Sequence, residues 1–198
     1  MCSQKSKCFG KHQTLITSRR HTIFKTRVGW MAIQGSNKGI TRTCLPELTN
    51  DQCVSKINSW NIASIQDDLF LKDQTQKIQS YFDGDFADLN SIVIDTRNTI
   101  PFFETAWRYC RSIPIGETRT YKWLATNCGN SKASRYAGRA MAKNKLPIII
   151  PCHRVIGSDG TLKGFGGSNP RLNLKSWLLD LERSAKYQYH AKTSDFVH

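Results

Sequence analysis

The chain has 198 residues, 39% of them hydrophobic, and its 29 Lys and Arg outnumber 15 Asp and Glu to give a net charge of +14. That length can bury a real core in one or two small domains. No apolar run approaches the ~20 residues of a membrane helix, which excludes a spanning role, and no signal peptide is expected because residues near the start lack a continuous apolar stretch. Charge is unevenly placed. Residues 1–30 hold seven bases and no acid, 31–105 are acidic on balance, and 106–182 hold thirteen bases against four acids. Positive charge concentrated this way is the footprint of a polyanion partner, although a generally basic surface would read the same. The acid-free start leaves organelle import open.

Residues 1–20 read as a basic, flexible tail. Gly29 to Ile33 and Gly39 to Thr41 read as strands joined by a turn at Ser36-Asn37-Lys38-Gly39. Ile65, Leu69, Ile78, Tyr81 and Phe82 suggest a helix over 65–82 that Asp83-Gly84 ends, and Ile92 to Asp95 reads as a further strand. From Thr99 the pattern turns helical, with Thr99 as cap and Pro101 in the first turn. Thr120 to Ala125 starts a second helix. Gly129-Asn130 makes a turn, and Ser131 caps a third helix from Lys132 to about Ala142. Two helices across a Gly-bearing turn form either a helix-turn-helix or a plain packed pair, and the surrounding bases favour DNA contact. Leu146 to Ile150 reads as a short buried strand, a glycine loop spans Gly164 to Gly167, and Arg171 to Arg183 reads as a last helix with Leu174, Trp177, Leu178 and Leu181 facing the core.

The seven cysteines are irregularly spaced and contain no C-x-x-C, which points to reduced thiols in an intracellular compartment, cytoplasm or nucleus. Cys2, Cys8, His12 and His21 match no zinc signature, so no metal or other cofactor is expected. Cys152 follows a buried segment and a proline and precedes His153 and Arg154. A thiol attacks only as thiolate, and a neighbouring base or cation is the usual route to that state. Adjacent residues on a strand point opposite ways, so adjacency alone does not establish contact.

The run Pro151-Cys152-His153-Arg154-Val155 resembles the active-site signature of the O6-alkylguanine-DNA alkyltransferases, the methylated-DNA–protein-cysteine methyltransferases. The likeness extends over 99–182, through Pro101-Phe102, Trp107, Ile113 to Glu117, Tyr121, Arg135, Ala140-Met141, Asn144 and Trp177-Leu178-Leu179 before Glu182. In the N-terminal part only Tyr81-Phe82-Asp83-Gly84 is a familiar phrase.

The resemblance implies direct, irreversible, single-turnover transfer of an alkyl group from O6-alkylguanine, with O4-alkylthymine as a further substrate, to Cys152. His153 would take the thiol proton through a water, Glu182 would orient that histidine, and Asn144 would brace the turn before the cysteine. Tyr121 would hold the base. Arg135 would fill the gap left by the flipped nucleotide, since the alkylated oxygen lies inside the duplex. Lys132, Ala133 and Ser134 would lie against DNA, and Met141, Val155 and Gly166 would meet the substrate. Two departures bear on the alkyl pocket: the loop around Ser168-Asn169-Pro170 is longer than usual, and Gly166 stands where a small side chain is common.

The expected fold is α+β. A basic tail (1–20) precedes a small sheet-plus-helix domain (21–97), then a mostly helical DNA-binding and transfer domain (98–183) in which a helix-turn-helix and a short buried strand lead to Cys152, and a tail (184–198). The expected partner is double-stranded DNA containing O6-alkylguanine, bound by a monomer with no membrane association. Competing readings are a lesion-binding relative without transfer, a helix-turn-helix regulator and a thiol hydrolase. The first lacks the cysteine that stands here at 152, and the last leaves the basic helices unexplained.

Overall fold

A computed structural model of the chain describes residues 19–86, 88–167 and 170–194. Cys2, Cys8 and His12, which match no zinc signature, fall outside those ranges, as do most of the basic tail and Ser168 and Asn169 of the lengthened loop. In the N-terminal half β1 (Arg20–Thr26), β2 (Gly29–Ser36) and β3 (Gly39–Thr43) form an antiparallel meander. The edge strand β4 (Ile65–Gln66) pairs parallel to β1, giving the order β3-β2-β1-β4. The β2–β3 turn lies where Asn37-Lys38 placed it. Met31, Ala32 and Ile33 on β2 are all buried, because helix α1 (Asn50–Ser59) covers the sheet. Thr49 and Gln52 close a capping box at the start of α1, each side chain accepting the other's backbone N–H. Helix α2 (Lys72–Asp83) ends on Gly84, whose φ of 87° is the left-handed conformation that glycine adopts without strain.

Several expected elements differ. The helix predicted over 65–82 begins only at Lys72, because Ile65 and Gln66 are recruited to the sheet edge. The strand predicted at 92–95 reduces to one bridge between Ile94 and Ile40. A 3₁₀ turn at Leu89–Ser91 precedes it, and Arg111 takes the carbonyls of Leu89, Asn90 and Ile92 that a ladder would otherwise use.

Helix α3 (Pro101–Arg111) is capped by Ile100 rather than Thr99; the residue before a proline is held extended, so the helix cannot begin earlier. A two-strand parallel pair, β5 (Arg119–Thr120) with β6 (Val155–Ile156), brackets the helix-turn-helix. Its members are α4 (Tyr121–Asn127) and α5 (Ser134–Ala142). Helix α5 starts after Ala133, not Ser131, since Asn130 gathers the N–H of Lys132 and Ala133 into a turn. Leu146 to Ile150 is buried as expected but forms a tight turn, with a single Pro147–Ile150 bridge and Ile148 at φ 74°. The last helix, α6 (Leu172–Ser194), continues beyond Arg183.

The two halves are pinned together. Thr43 donates its hydroxyl to the Pro147 carbonyl at 2.8 Å, and its N–H meets the Lys145 carbonyl. Arg171 donates to the Pro46 carbonyl and pairs with Glu47 at 3.1 Å. Glu47 is itself held by paired backbone bonds to Trp30. That approach needs a glycine at 29: its φ is 144°, and a Cβ there would lie 2.5 Å from the Glu47 carbonyl oxygen. Gly29→Ala is therefore expected to cost about 1–3 kcal/mol or more. Urea unfolding should show it as a lower midpoint at an unchanged slope; an unaltered midpoint would refute the close approach.

Candidate active site

Cys152 begins a 3₁₀ turn, Cys152–Arg154, directly after the tight buried turn. Asn144 shapes that entry. Its Oδ1 accepts the Leu146 N–H at 2.9 Å, and its Nδ2 donates to the Ile150 carbonyl at 2.9 Å and to Cys152 Sγ at 3.2 Å. One amide thus ties both ends of the turn that Pro147 and left-handed Ile148 impose, and it also hydrogen-bonds the thiol. Burial pushes the Cys152 thiol above its ordinary value; the Asn144 bond and the Lys175 ammonium act in the opposite sense.

The 3₁₀ turn resolves the difficulty of adjacent residues on a strand. Cys152 faces a cavity while His153 points into the protein and is fully buried. His153 Nε2 lies 2.8 Å from Glu182 Oε1, bringing together two residues 29 apart in sequence. Glu182 is saturated. It also accepts from Tyr81 Oη at 2.6 Å, from the Arg154 guanidinium at 2.9–3.2 Å and from the Gly116 N–H at 3.2 Å. Burial pushes this carboxyl up, but His153 and Arg154 outweigh it and hold Glu182 well below the usual carboxylate range. Burial drives His153 below its ordinary 6.5, so it is neutral at pH 7. With Nε2–H given to the carboxylate, Nδ1 carries the lone pair, and it has no hydrogen-bond partner among the described residues. A neutral imidazole with one nitrogen fixed and the other free is equipped to accept a proton.

A cavity of about 280 Å³ opens over Cys152. Met141, Phe165 and Gly166 line it from the C-terminal half, and Leu45, Glu47 and Trp60 from the N-terminal half. Phe165 has φ 145° between Gly164 and Gly166, a strained backbone in the wall of the site. Tyr121 does not line this cavity. It stands at the start of α4, donates its hydroxyl to the Lys163 carbonyl at 2.9 Å, and is pushed up to about 12 by burial and by Cys152. Val155 is fully buried away from the cavity, its carbonyl held by Lys175. Lys132 and Arg135 are exposed at the start of α5, with Ala133 and Ser134 half-buried between them.

Three residues of this network escaped the sequence reading. Arg154 and Tyr81 were inside quoted motifs without a role. Lys175 is wholly buried, bonds the Val155 and Lys163 carbonyls at 2.7 and 2.9 Å, and is lowered to about 8 by burial. The available signal was helical period: 175, 178, 179 and 182 share the buried face of α6.

Because the folded-state pKa of Glu182 is depressed, its contribution to stability is complete above its ordinary 4.5 and is lost as pH falls toward the folded value. Glu182→Gln strands the buried Arg154 charge and should cost about 3–5 kcal/mol at pH 7. In denaturant titrations the gap to the unaltered protein should narrow well below pH 4.5, and a gap independent of pH would refute the assignment.

Residues 101–184 match a family model described as the 6-O-methylguanine DNA methyltransferase DNA-binding domain. A methylated-DNA–protein-cysteine methyltransferase of Methanosarcina acetivorans is 32% identical over 83% of this chain and 98% of its own length. The constitutive enzyme of that name from Bacillus subtilis is 39% identical over 57% of this chain and 66% of its own. Among solved structures, the Mycobacterium tuberculosis protein in complex with DNA superposes with a TM-score of 0.70 at 29% identity, covering 84% of this chain and 94% of that one. The chain belongs to the methylated-DNA–protein-cysteine methyltransferase family.

Proposed function

We propose that this chain repairs DNA by moving an alkyl group from O6 of guanine, and in the same pocket from O4 of thymine, onto Cys152. The observation that carries the reading is the buried thiol on a cavity floor, with His153 fixed on Glu182 behind it and a helix-turn-helix beside it. The thiol proton passes through a water to His153 Nδ1. The thiolate then attacks the alkyl carbon, an S–C bond forms, and the O6–C bond electrons leave on guanine, whose ring takes up a proton. Tyr121, a phenol that stays protonated far above neutral pH, exchanges its Lys163 carbonyl partner for the base when the nucleotide enters and donates to it as that charge develops. The thioether has no leaving path, so each molecule acts once.

To reach the cavity the nucleotide must leave the duplex. Exposed Arg135 at the start of α5 fills the gap, while Lys132, Ala133 and Ser134 lie along the minor groove and Met141 and Gly166 flank the base. The chain works as a monomer. The five free cysteines among the described residues favour a reducing compartment, and the cytoplasm or nucleus fits that. No helix among the described residues is long and apolar enough to cross a membrane.

Incubation with an O6-methylguanine duplex should add one methyl group to the peptide bearing Cys152, read by mass spectrometry. Cys152→Ala should abolish the gain and still bind duplex. Binding without any gain in the unaltered protein would leave a lesion-binding module instead. Arg135→Ala should slow transfer from a paired lesion more than from one in single-stranded DNA, and equal loss would refute the wedge role. Because burial keeps His153 neutral, the single-turnover rate should stay level as pH falls through 6.5 and decline only below it. A decline centred above 6.5 would refute His153 as the base.

A further inference from the structure

A second cavity, of about 230 Å³, opens where β3, the 95–99 linker and the segment after α5 meet. Arg19, Arg42, Arg97 and Lys145 line it beside Asp95 and Trp107. Asp95 is the one carboxylate in that lining and is occupied, since Arg97 donates to both of its oxygens at 2.7 and 2.6 Å. The side chains of Arg19, Arg42 and Lys145 make no hydrogen bond or ion pair among the described residues. Arg19 and Arg42 are nonetheless half-buried.

Three cations without a hydrogen-bonded partner around one hollow repel each other, and only Arg19 gains some attraction from Asp95, which Arg97 already holds. Burial, then Arg19, pulls the Arg42 guanidinium below its ordinary value; burial, then Arg42 and Arg19, does the same to Lys145. Long basic side chains ordinarily extend to water when they lack a partner, as exposed Lys145 does at the rim, so holding Arg19 and Arg42 half-buried together costs stability unless an anion joins them. Guanidinium forks match phosphate oxygens, and a phosphate offers enough charge and acceptors for two forks and an ammonium. The lining is also continuous with the DNA-facing element. An adjoining cavity of about 300 Å³ shares Trp107 and Lys145 with the first and carries Arg139 and Lys143 at the end of α5.

We infer that the hollow between Arg19, Arg42 and Lys145 is a phosphate-binding site, separate from the cavity at Cys152 and filled by a backbone phosphate of the bound duplex away from the lesion. The choice of duplex rests on the DNA-binding reading above; the choice of phosphate does not.

The test uses the full chain with Arg19→Gln and Arg42→Gln, alone and together, and Lys38→Gln as an exposed-turn control of equal charge. Inorganic pyrophosphate is titrated calorimetrically, and unmodified duplex is bound across a salt series. The double variant is expected to lose at least about tenfold in pyrophosphate affinity. Its log–log salt slope should be shallower by about one, the loss of one phosphate contact, and Lys38→Gln should change neither. Loss of pyrophosphate with an unchanged duplex slope would overturn the backbone assignment in favour of a free phosphate or nucleotide. Unchanged binding of both would overturn the site. Relief of like-charge repulsion should leave the melting temperature level or higher; a marked fall would make these arginines structural and overturn the inference as well.

Discussion

The Glu182 carboxylate is a full charge buried away from water, and such a charge persists only where donors surround it. Here they come from three places in the chain: Tyr81 on α2, His153 and Arg154 in the 3₁₀ turn, and the Gly116 N–H in the loop before β5. Each donor fixes the element that carries it. Arg154 reaches further, to the Ile113 carbonyl at 2.6 Å, and so ties the end of α3 to the same centre. Electrostatic satisfaction of one oxygen pair and alignment of the histidine are therefore a single requirement, and neither can be relaxed without the other.

The Cys152 thiol sits at the edge of this rigid centre under opposing influences. Burial disfavours the thiolate, whereas Asn144 and the buried Lys175 favour it. The balance leaves Cys152 protonated at rest, which fits the single-use nucleophile proposed for it, since a thiol reacts only as thiolate. Strain accompanies the arrangement. Ile148 and Phe165, both non-glycine residues at positive φ, flank the site on either side in sequence, one beneath the cysteine and one in the cavity wall. Phe165 is held by its contact with the His153 ring and by the Arg171 N–H on its carbonyl.

Much of this was legible in the chain. The β2–β3 hairpin was marked by glycines and its turn, though β1 was not read as a strand, and the pair α4–α5 was marked by Gly129-Asn130 between apolar helical faces. Cys152, His153 and Glu182 came from the resemblance to the family signature, not from their spacing. What was not legible had physical causes. Leu146 to Ile150 is a run of apolar residues, which has no period to separate strand from turn; a side chain outside it, Asn144, decides the matter. The 92–95 segment has strand composition, but Arg111, 19 residues away, takes the Ile92 carbonyl, and only the bonds that Val93 and Asp95 make to Ile40 remain to pair it. Helix starts shifted because a proline and an asparagine turn overrode the hydroxyl residues that composition favours as caps. Tyr81 could not be placed, since nothing local says that a tyrosine on α2 ends beside a glutamate 101 residues later.

The division of labour across Glu182 bears on how separable the halves are. Every residue given a role from the sequence lies after Thr99, so a fragment of the second half alone looks chemically complete on paper. In three dimensions it lacks the Tyr81 hydroxyl at the shared carboxylate, and its cavity is without the wall that Leu45, Glu47 and Trp60 provide. The N-terminal half thus supplies one donor to the shared carboxylate and one wall of the cavity, so a change in its sequence alters the space beside Cys152 while the signature itself stays untouched.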